Sequence, residues 1–150
     1  MNAFLRIVSV VLLSVSTNAF GADGLIALKS PFSTKVTMDR FEENAKQRGL
    51  TIFARIDHSA GASKIGKSLR PTEVIIFGNP VGGTAFMECA QSIGIDLPLK
   101  ALVWEDAQGQ AWLGYNDPAY IAKRHGVNRC LAGENLRKVL SALSEATLAH

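Results

Sequence analysis

The sequence predicts an α+β domain, a two-layer sandwich in which helices cover one face of a mixed or antiparallel sheet. Helical and strand patterns interleave along the chain. One connection, within "LKALVWEDAQGQAWLGYN", is a tight hairpin that makes two strands antiparallel. Too few of the other connections have the form of a βαβ crossover, so a doubly wound parallel sheet is disfavoured. The expected element order is β-α-β-(short α)-β-α-β-β-α-α.

The first stretch, "MNAFLRIVSVVLLSVSTNAFGADG", is typical of a secretory signal. Arg6 precedes an apolar run from Ile7 to Val15, and small residues follow. The run is shorter than the ~20 residues of a spanning helix, so we expect no stable membrane anchor. The prediction is a signal peptide at 1–21 and one domain with a C-terminal helix at 22–150, in a periplasmic or secreted protein.

The domain opens with a strand, "GLIALKS", and a helix. Ser33 precedes the helical pattern, and Met38, Phe41 and Ala45 form one apolar stripe. Gly49 has the position of the residue that follows a helix end. The segment therefore predicts one amphipathic helix that packs on the sheet.

A second strand, "LTIFARIDH", shows regular alternation. Its drier face is expected to carry Leu50, Ile52, Ala54 and Ile56. The following "SAGASKIG" is predicted to form a turn or a short helix capped by Ser59. The apolar run "TEVIIFG" then predicts a central strand.

The next helix is predicted to begin at Asn79-Pro80 and to end at Gly94. Asn79 is a good N-cap, and Pro80 has the φ angle of a first helical residue. The core-facing residues of this helix are expected to be Phe86, Cys89, Ala90 and Ile93.

The hairpin follows, with its loop from Asp106 to Gln110. In "WLGYNDPAYIAKRHG", Asp117 is placed to cap a helix that starts at Pro118. The basic residues at the end of this segment suit the last turn of a helix, and Gly126 suits the position after it. A final helix is expected from about Glu134.

The charge balance and the motifs exclude several functions. Sixteen basic residues face thirteen acidic ones without a basic cluster, so nucleic-acid binding is not expected. The three histidines lack the spacing of a metal motif, and no P-loop or Gly-x-Ser-x-Gly sequence occurs. We therefore predict no cofactor and no metal site.

Asp57-His58 is the most evident acid–base pair. A carboxylate beside a histidine suggests a general base and the group that orients it. Neighbouring side chains of a strand point to opposite faces, however, and Asp57 could equally cap the next turn. If the strand continues through His58, the two cannot form a dyad.

Several blocks in order, "FARIDHSAGA", "LRPTEVIIFGNPVGGT", "DLPLKALVWEDAQGQAWLGYNDP" and "IAKRHG", closely resemble the domain-of-unknown-function family DUF302. The resemblance runs from about Leu25 to Gly126. It implies a small α+β domain that tends to form homodimers, and it assigns no catalytic residue.

Polar and aromatic residues at strand ends, without a complete catalytic constellation, favour a domain that binds a small ligand or a partner. The expected ligand-binding residues are Asp57, His58, Lys100, Glu105, Tyr115 and Asn116. One alternative is a hydrolytic or acid–base enzyme with His58 beside Asp57 or Glu105. A second is a heme or metal binder that uses His58 or His125. Trp112, Tyr115 and Tyr120 are candidates for the wall of a pocket or interface.

The sequence contains two cysteines, which could form one disulfide bond. Cys89 shares a helical stripe with Phe86 and Ile93, so it is expected to be buried. Cys130 lies in the polar turn "GVNRCLAG", where it is expected to be more exposed. In an oxidising compartment the two thiols could pair. They are a possible disulfide, although sequence does not show that their Cβ atoms are close enough.

Overall fold

The computed structural model describes residues 22–150 and contains one antiparallel five-stranded sheet. The expected signal peptide lies outside these residues. The strand order across the sheet is β1-β5-β4-β3-β2, and every neighbouring pair is antiparallel. The strands are β1 Leu25–Lys29, β2 Thr51–Asp57, β3 Thr72–Gly78, β4 Leu99–Glu105 and β5 Ala111–Asn116. The predicted α+β class is confirmed, and of the two sheet types considered the antiparallel one is present.

Five α-helices accompany the sheet in residues 22–150. They are α1 Thr34–Gln47, α2 His58–Lys64, α3 Pro80–Cys89, α4 Pro118–Arg124 and α5 Leu131–Leu148. Two predicted caps are confirmed: the side chains of Asn79 and Asp117 accept backbone N–H bonds at the starts of α3 and α4. The Ser33 side chain caps α1 in the same way. No helix in this part of the chain has both the length and the apolarity needed to cross a membrane.

The predicted helix from Pro80 to Gly94 is wrong in its second half. Helix α3 ends at Cys89 because Ala90 adopts an extended conformation with φ −158°. A separate 3₁₀ turn, Gln91–Ile95, then leads to β4. The break lets Phe86 and Ile93 both be fully buried although they belong to different elements.

The predicted faces of β2 are also wrong beyond Ile52. A β-bulge lies between Ile52 and Ala54, so Phe53 has no partner residue in β3. One extra residue reverses the alternation of all later side chains. Ile56 therefore lies on the face opposite Ile52, and Arg55 lies on the side of the helices.

Two predicted helix starts need correction. The predicted Ser59 cap of α2 is wrong, and the alternative cap, Asp57, is confirmed, since its Oδ1 accepts the Ala60 N–H at 2.9 Å. Helix α5 begins at Leu131, earlier than the predicted Glu134, and its N-cap Cys130 makes no side-chain capping bond. The disulfide described below holds that helix start instead.

Helices α1 and α5 form the second layer. Phe41 of α1 packs edge-on against Phe77 of β3, with ring centroids 5.1 Å apart. Arg40 of α1 fixes the end of α5, where it donates from Nε to the Thr147 carbonyl at 2.8 Å and from Nη2 to the Ala149 carbonyl at 2.6 Å. These bonds satisfy carbonyl groups that a helix end leaves without partners.

The two faces of the sheet differ sharply. The helix-covered face carries fully buried residues, including Ile75, Phe77, Ala101, Val103 and Leu113. On the other side, which we call the open face, eight apolar side chains are all at least partly exposed. That set comprises Ala27, Ala54, Ile56, Val74, Ile76, Leu102, Trp104 and Trp112.

Two tryptophans dominate the open face. Trp104 and Trp112 are cross-strand partners and stack with ring centroids 6.2 Å apart. The Nζ atom of Lys29 lies 5.5 Å from the Trp112 ring. Trp104 also lies across Gly114, where a Cβ atom would come within 2.8 Å of the indole. Glycine at this position therefore makes room for the indole stack.

Candidate functional site

The six predicted ligand-binding residues do not form one site. Asp57, His58 and Glu105 lie at one end of the sheet, whereas Lys100, Tyr115 and Asn116 belong to the other. Lys100 and Glu105 are five residues apart in one strand, which separates them by about 17 Å. A single small molecule cannot bridge the two groups.

Asp57 and His58 form no dyad. The Asp57 carboxylate accepts bonds from the Ser59 hydroxyl and the Ala60 N–H, and these bonds lower its pKa. His58 is the exposed first residue of α2 and makes no hydrogen bond to a carboxylate within residues 22–150. The described residues therefore contain no hydrogen-bonded pair of His58 and a carboxylate.

At the other end of the sheet, the three predicted residues lie in different surroundings. Lys100 donates to the Asp96 and Pro98 carbonyls at 3.1 and 2.9 Å, and Asn116 is exposed. Tyr115 faces the core, and burial raises the pKa of its hydroxyl.

The aromatic residues Trp112, Tyr115 and Tyr120 likewise wall no common pocket. Trp112 lies on the open face and Tyr115 on the covered face. Tyr120 of α4 packs against Gly24, where a Cβ atom would lie 2.3 Å from the ring.

A cavity of about 1170 Å³ lies between α3, α5 and the end of the sheet. Its walls are mostly apolar, and its large hydrophobic residues are Leu50, Phe53, Val81, Met87, Leu97, Leu99, Leu131, Leu136 and Val139. Val81 and Leu131 are 81% and 72% exposed, so the cavity is open to solvent on their side. This volume exceeds the roughly 300–1,000 Å³ of most small-molecule pockets.

The bulge in β2 and the break after α3 both shape this cavity. Phe53, the bulged residue, contributes its ring to the wall beside Gly78. Gly82 and Gly83 keep the first turn of α3 small, and a Cβ atom at Gly82 would lie 3.2 Å from Leu136. The glycine pair in "GNPVGG" was the sequence signal for this wall. Such glycine-rich segments are usually taken as a sign of phosphate binding, not of an apolar cavity.

Five polar residues line the same cavity: Asn79, Thr84, Glu88, Arg129 and Asn135. Asn79 uses its Oδ1 to cap α3 at 2.8 Å from Gly82 N, and Glu88 and Asn135 come from α3 and α5. Arg129 is exposed and forms no salt bridge within the described part of the chain. Its guanidinium is therefore available to an anionic group at the cavity.

The two cysteines also line the cavity. Cys89, at the end of α3, and Cys130, at the start of α5, are joined by a disulfide with Cα atoms 6.0 Å apart. The predicted burial of the two residues is wrong: Cys89, expected to be buried, is exposed, whereas Cys130, expected to be more exposed, is only 6% exposed. Cys130 packs with Phe86 and Ile121 because the turn before α5 folds inward.

No cluster of three or more histidine, cysteine, aspartate or glutamate side chains suited to a metal ion occurs in residues 22–150. His58 and His125 lie in different regions, on α2 and at the end of α4.

The fold and the cavity define a class of protein: a small antiparallel α+β sandwich with an apolar recess under two disulfide-linked helices. The chain belongs to the family described as domain of unknown function DUF302, whose model matches residues 26–143. The crystal structure of the uncharacterized conserved protein DUF302 from Bacillus stearothermophilus is similar, with TM-score 0.76 and 18% identity. The match covers 84% of this chain and 99% of that one, and it shows a common fold.

Two curated relatives are longer proteins. Fluoride-specific ion channel FluC 1 of Brucella suis biovar 1 (strain 1330) and that of Brucella abortus biovar 1 (strain 9-941) are each 48% identical over 104 residues. The aligned part is 69% of this chain but only 41% and 38% of the two relatives. The chain thus spans about two fifths of their length.

Proposed function

We propose that this protein is an exported ligand-binding protein that holds a small amphipathic molecule in the cavity between α3 and α5. The single observation that carries the proposal is the size and apolarity of that recess, described above. Ligand sites are typically concave and mostly apolar, with a few polar groups that orient the ligand. Val81 and Leu131 add exposed apolar surface to this recess, and contiguous exposed apolar surface is typical of ligand-binding grooves and interaction sites.

The polar residues of the cavity favour a ligand with an anionic end. Arg129 is a cation without an ion-pair partner in the described residues, and a guanidinium binds carboxylate through two parallel hydrogen bonds. Glu88 lies in the same lining and disfavours a doubly charged anion. An aliphatic monocarboxylate combines the apolar body and the single charge that these residues would accept.

Export is supported by the leader pattern and by the disulfide. Residues 1–21 have the composition of a signal peptide. Disulfides persist in oxidising compartments such as the periplasm and are rare in the cytosol. The Cys89–Cys130 bond therefore fits a periplasmic or secreted location.

We further propose a homodimer that buries the open face. In an antiparallel sheet with one solvated face, polar residues usually alternate with core residues. Here the solvated positions include Ile76, Leu102, Trp104 and Trp112 instead. In a solution of the purified protein, a second copy of the chain is the partner that would cover this apolar surface. The family resemblance implies a tendency to form homodimers.

We carry no transport activity over from the Brucella relatives, because the aligned segment is the smaller part of those proteins. An acid–base function that uses His58 is disfavoured by the absence of a carboxylate partner among residues 22–150.

Titration of the mature protein with the fluorescent probe N-phenyl-1-naphthylamine tests the proposal. We expect saturable binding of one probe per chain, displaced by decanoate more effectively than by decanol. Arg129→Gln should remove the preference for decanoate, whereas Lys138→Gln, an exposed change on α5 outside the lining, should preserve it. Probe fluorescence that rises without saturation, or that decanoate does not reduce, would refute a defined site.

A further inference from the structure

Hydrogen bonds connect the side chains of Ser92, His125 and Asp96, which we call the relay. Ser92 Oγ lies 2.8 Å from His125 Nδ1, and His125 Nε2 lies 2.7 Å from Asp96 Oδ2. Arg124 Nη1 holds the other carboxylate oxygen of Asp96 at 2.7 Å. None of these residues lines the apolar cavity, although their neighbours Gly94 and Leu97 do.

The hydrogen bonds assign a role to each atom. A carboxylate only accepts hydrogen bonds, so Nε2 of His125 carries the proton that points to Asp96. In the neutral ring Nδ1 is then the unprotonated nitrogen, and the Ser92 hydroxyl donates to it. This tautomer has its lone pair directed at a serine hydroxyl, as a general base requires.

Within the relay, the serine is exposed to solvent and the two groups behind it are mostly buried, as a nucleophilic serine requires. The side chains of Asp96 and His125 are only 12% and 9% exposed, which fixes the imidazole and weakens solvent screening. Ser92 is exposed at the surface. The hydroxyl can therefore meet a substrate while the two groups behind it stay in place.

We propose that Ser92 is a nucleophile, His125 its general base and Asp96 the group that orients the imidazole, in an esterase site separate from the cavity. The substrate class is a carboxylic ester, whose acyl carbon can reach the Ser92 hydroxyl at the exposed surface.

The reaction has two balanced steps. Ser92 Oγ bonds to the acyl carbon while its proton passes to His125 Nδ1, and the ester C–O bond breaks as the leaving alkoxide takes that proton. Water then attacks the acyl-serine and gives a proton to Nδ1, which returns it to Ser92 Oγ as the acid departs. The net change is ester plus water to acid plus alcohol.

Labelling of the mature protein with a fluorophosphonate probe tests this site. We expect a single adduct on Ser92, mapped by mass spectrometry of the wild-type protein. His125→Gln should slow labelling and the hydrolysis of p-nitrophenyl acetate at least about 100-fold, the lower end of general-base contributions. Ser63→Ala is the matched control, since Ser63 is exposed but bonds a carbonyl rather than a histidine.

A purely structural relay gives different results. It would leave Ser92 no more reactive than Ser63 in the folded wild-type protein, and His125→Gln would change only the thermal midpoint. Absence of the Ser92 adduct, or equal labelling rates in wild type and His125→Gln, overturns the proposal. Because adduct mapping uses the unmodified protein, an unstable variant does not affect this conclusion.

Discussion

Cys89 and Cys130 join the end of α3 to the start of α5, and both line the apolar cavity. The disulfide therefore fixes the spacing of the two helices that form most of the cavity wall. Helix α5 has no side-chain cap at its first turn, and this covalent bond restrains its start.

Reduction of this disulfide should destabilise the fold substantially. The bond closes a loop with a sequence separation of 41, which corresponds to about 3–4 kcal/mol in the chain-entropy model. Urea unfolding with and without reductant measures the difference, and Cys89→Ala/Cys130→Ala supplies a control that reductant should not affect. Identical midpoints for oxidised and reduced wild type would contradict this prediction.

Asp117→Ala should destabilise the protein by about 0.5–2 kcal/mol through loss of an N-cap. The Asp117 carboxylate accepts the Ala119 N–H at 3.0 Å and lies 3.6 Å from Arg137. Its neighbour Asn116 is exposed, so Asn116→Ala is a matched control that should change little. Chemical denaturation compares the two variants, and equal stabilities would argue against the cap.

Low pH should protonate the carboxylates of a charge cluster on β2 and α1 and so abolish the stabilising effect of that cluster. Bonds from Lys35 and then Arg55 lower the pKa of Asp39, and bonds from Lys46 and then Arg55 lower that of Glu42. Because these folded-state pKa values lie below the unfolded ones, the cluster stabilises the protein above pH ~4 and loses this effect as pH falls through the folded values.

Arg55→Met should therefore flatten the decline of stability below pH ~5. Arg55 bridges Asp39, Glu42 and Glu73, but these groups are partly exposed, so solvent limits the loss at pH 7 to about 1 kcal/mol. Thermal midpoints from pH 7 to pH 3 provide the measurement. Lys67→Met controls for the lost charge, and a pH profile for Arg55→Met that matches the control would disprove the role of the cluster.

The proposed dimer predicts that a charge on the open face yields monomers. Ile76→Glu places a carboxylate at the centre of the apolar sheet surface, where burial against a second copy would desolvate it. Light scattering after gel filtration should report dimeric wild type and monomeric Ile76→Glu. Val36→Glu, on α1, should remain dimeric, and a monomeric wild type would rule out the assembly.

Local signals in the sequence predicted much of the fold. The caps at Asn79-Pro80 and Asp117-Pro118 depend on side-chain bonds within three residues, so their chemistry is visible in a short window. The Asp106–Gln110 loop is equally local and lies between β4 and β5 as predicted.

Long-range packing decided the features that the sequence did not reveal. The bulge at Phe53 depends on how β2 pairs with β3, and alternation alone cannot show one extra residue. Cys130 became buried because its turn packs on α3 and α4. Ser92 and His125 are 33 residues apart, so only the fold brings them together. The ligand prediction selected residues at strand ends, whereas the cavity is formed mainly by two helices.

The central claim is that the cavity between α3 and α5 binds a small amphipathic molecule, and a pair of valine variants tests it most directly. Val139 lines the cavity and is 39% exposed, whereas Val36 on α1 is 43% exposed and lies outside the lining. We predict that Val139→Trp weakens N-phenyl-1-naphthylamine binding at least about tenfold, a loss of about 1.4 kcal/mol. Val36→Trp should bind the probe as wild type does. Equal dissociation constants for the two folded variants would contradict the account.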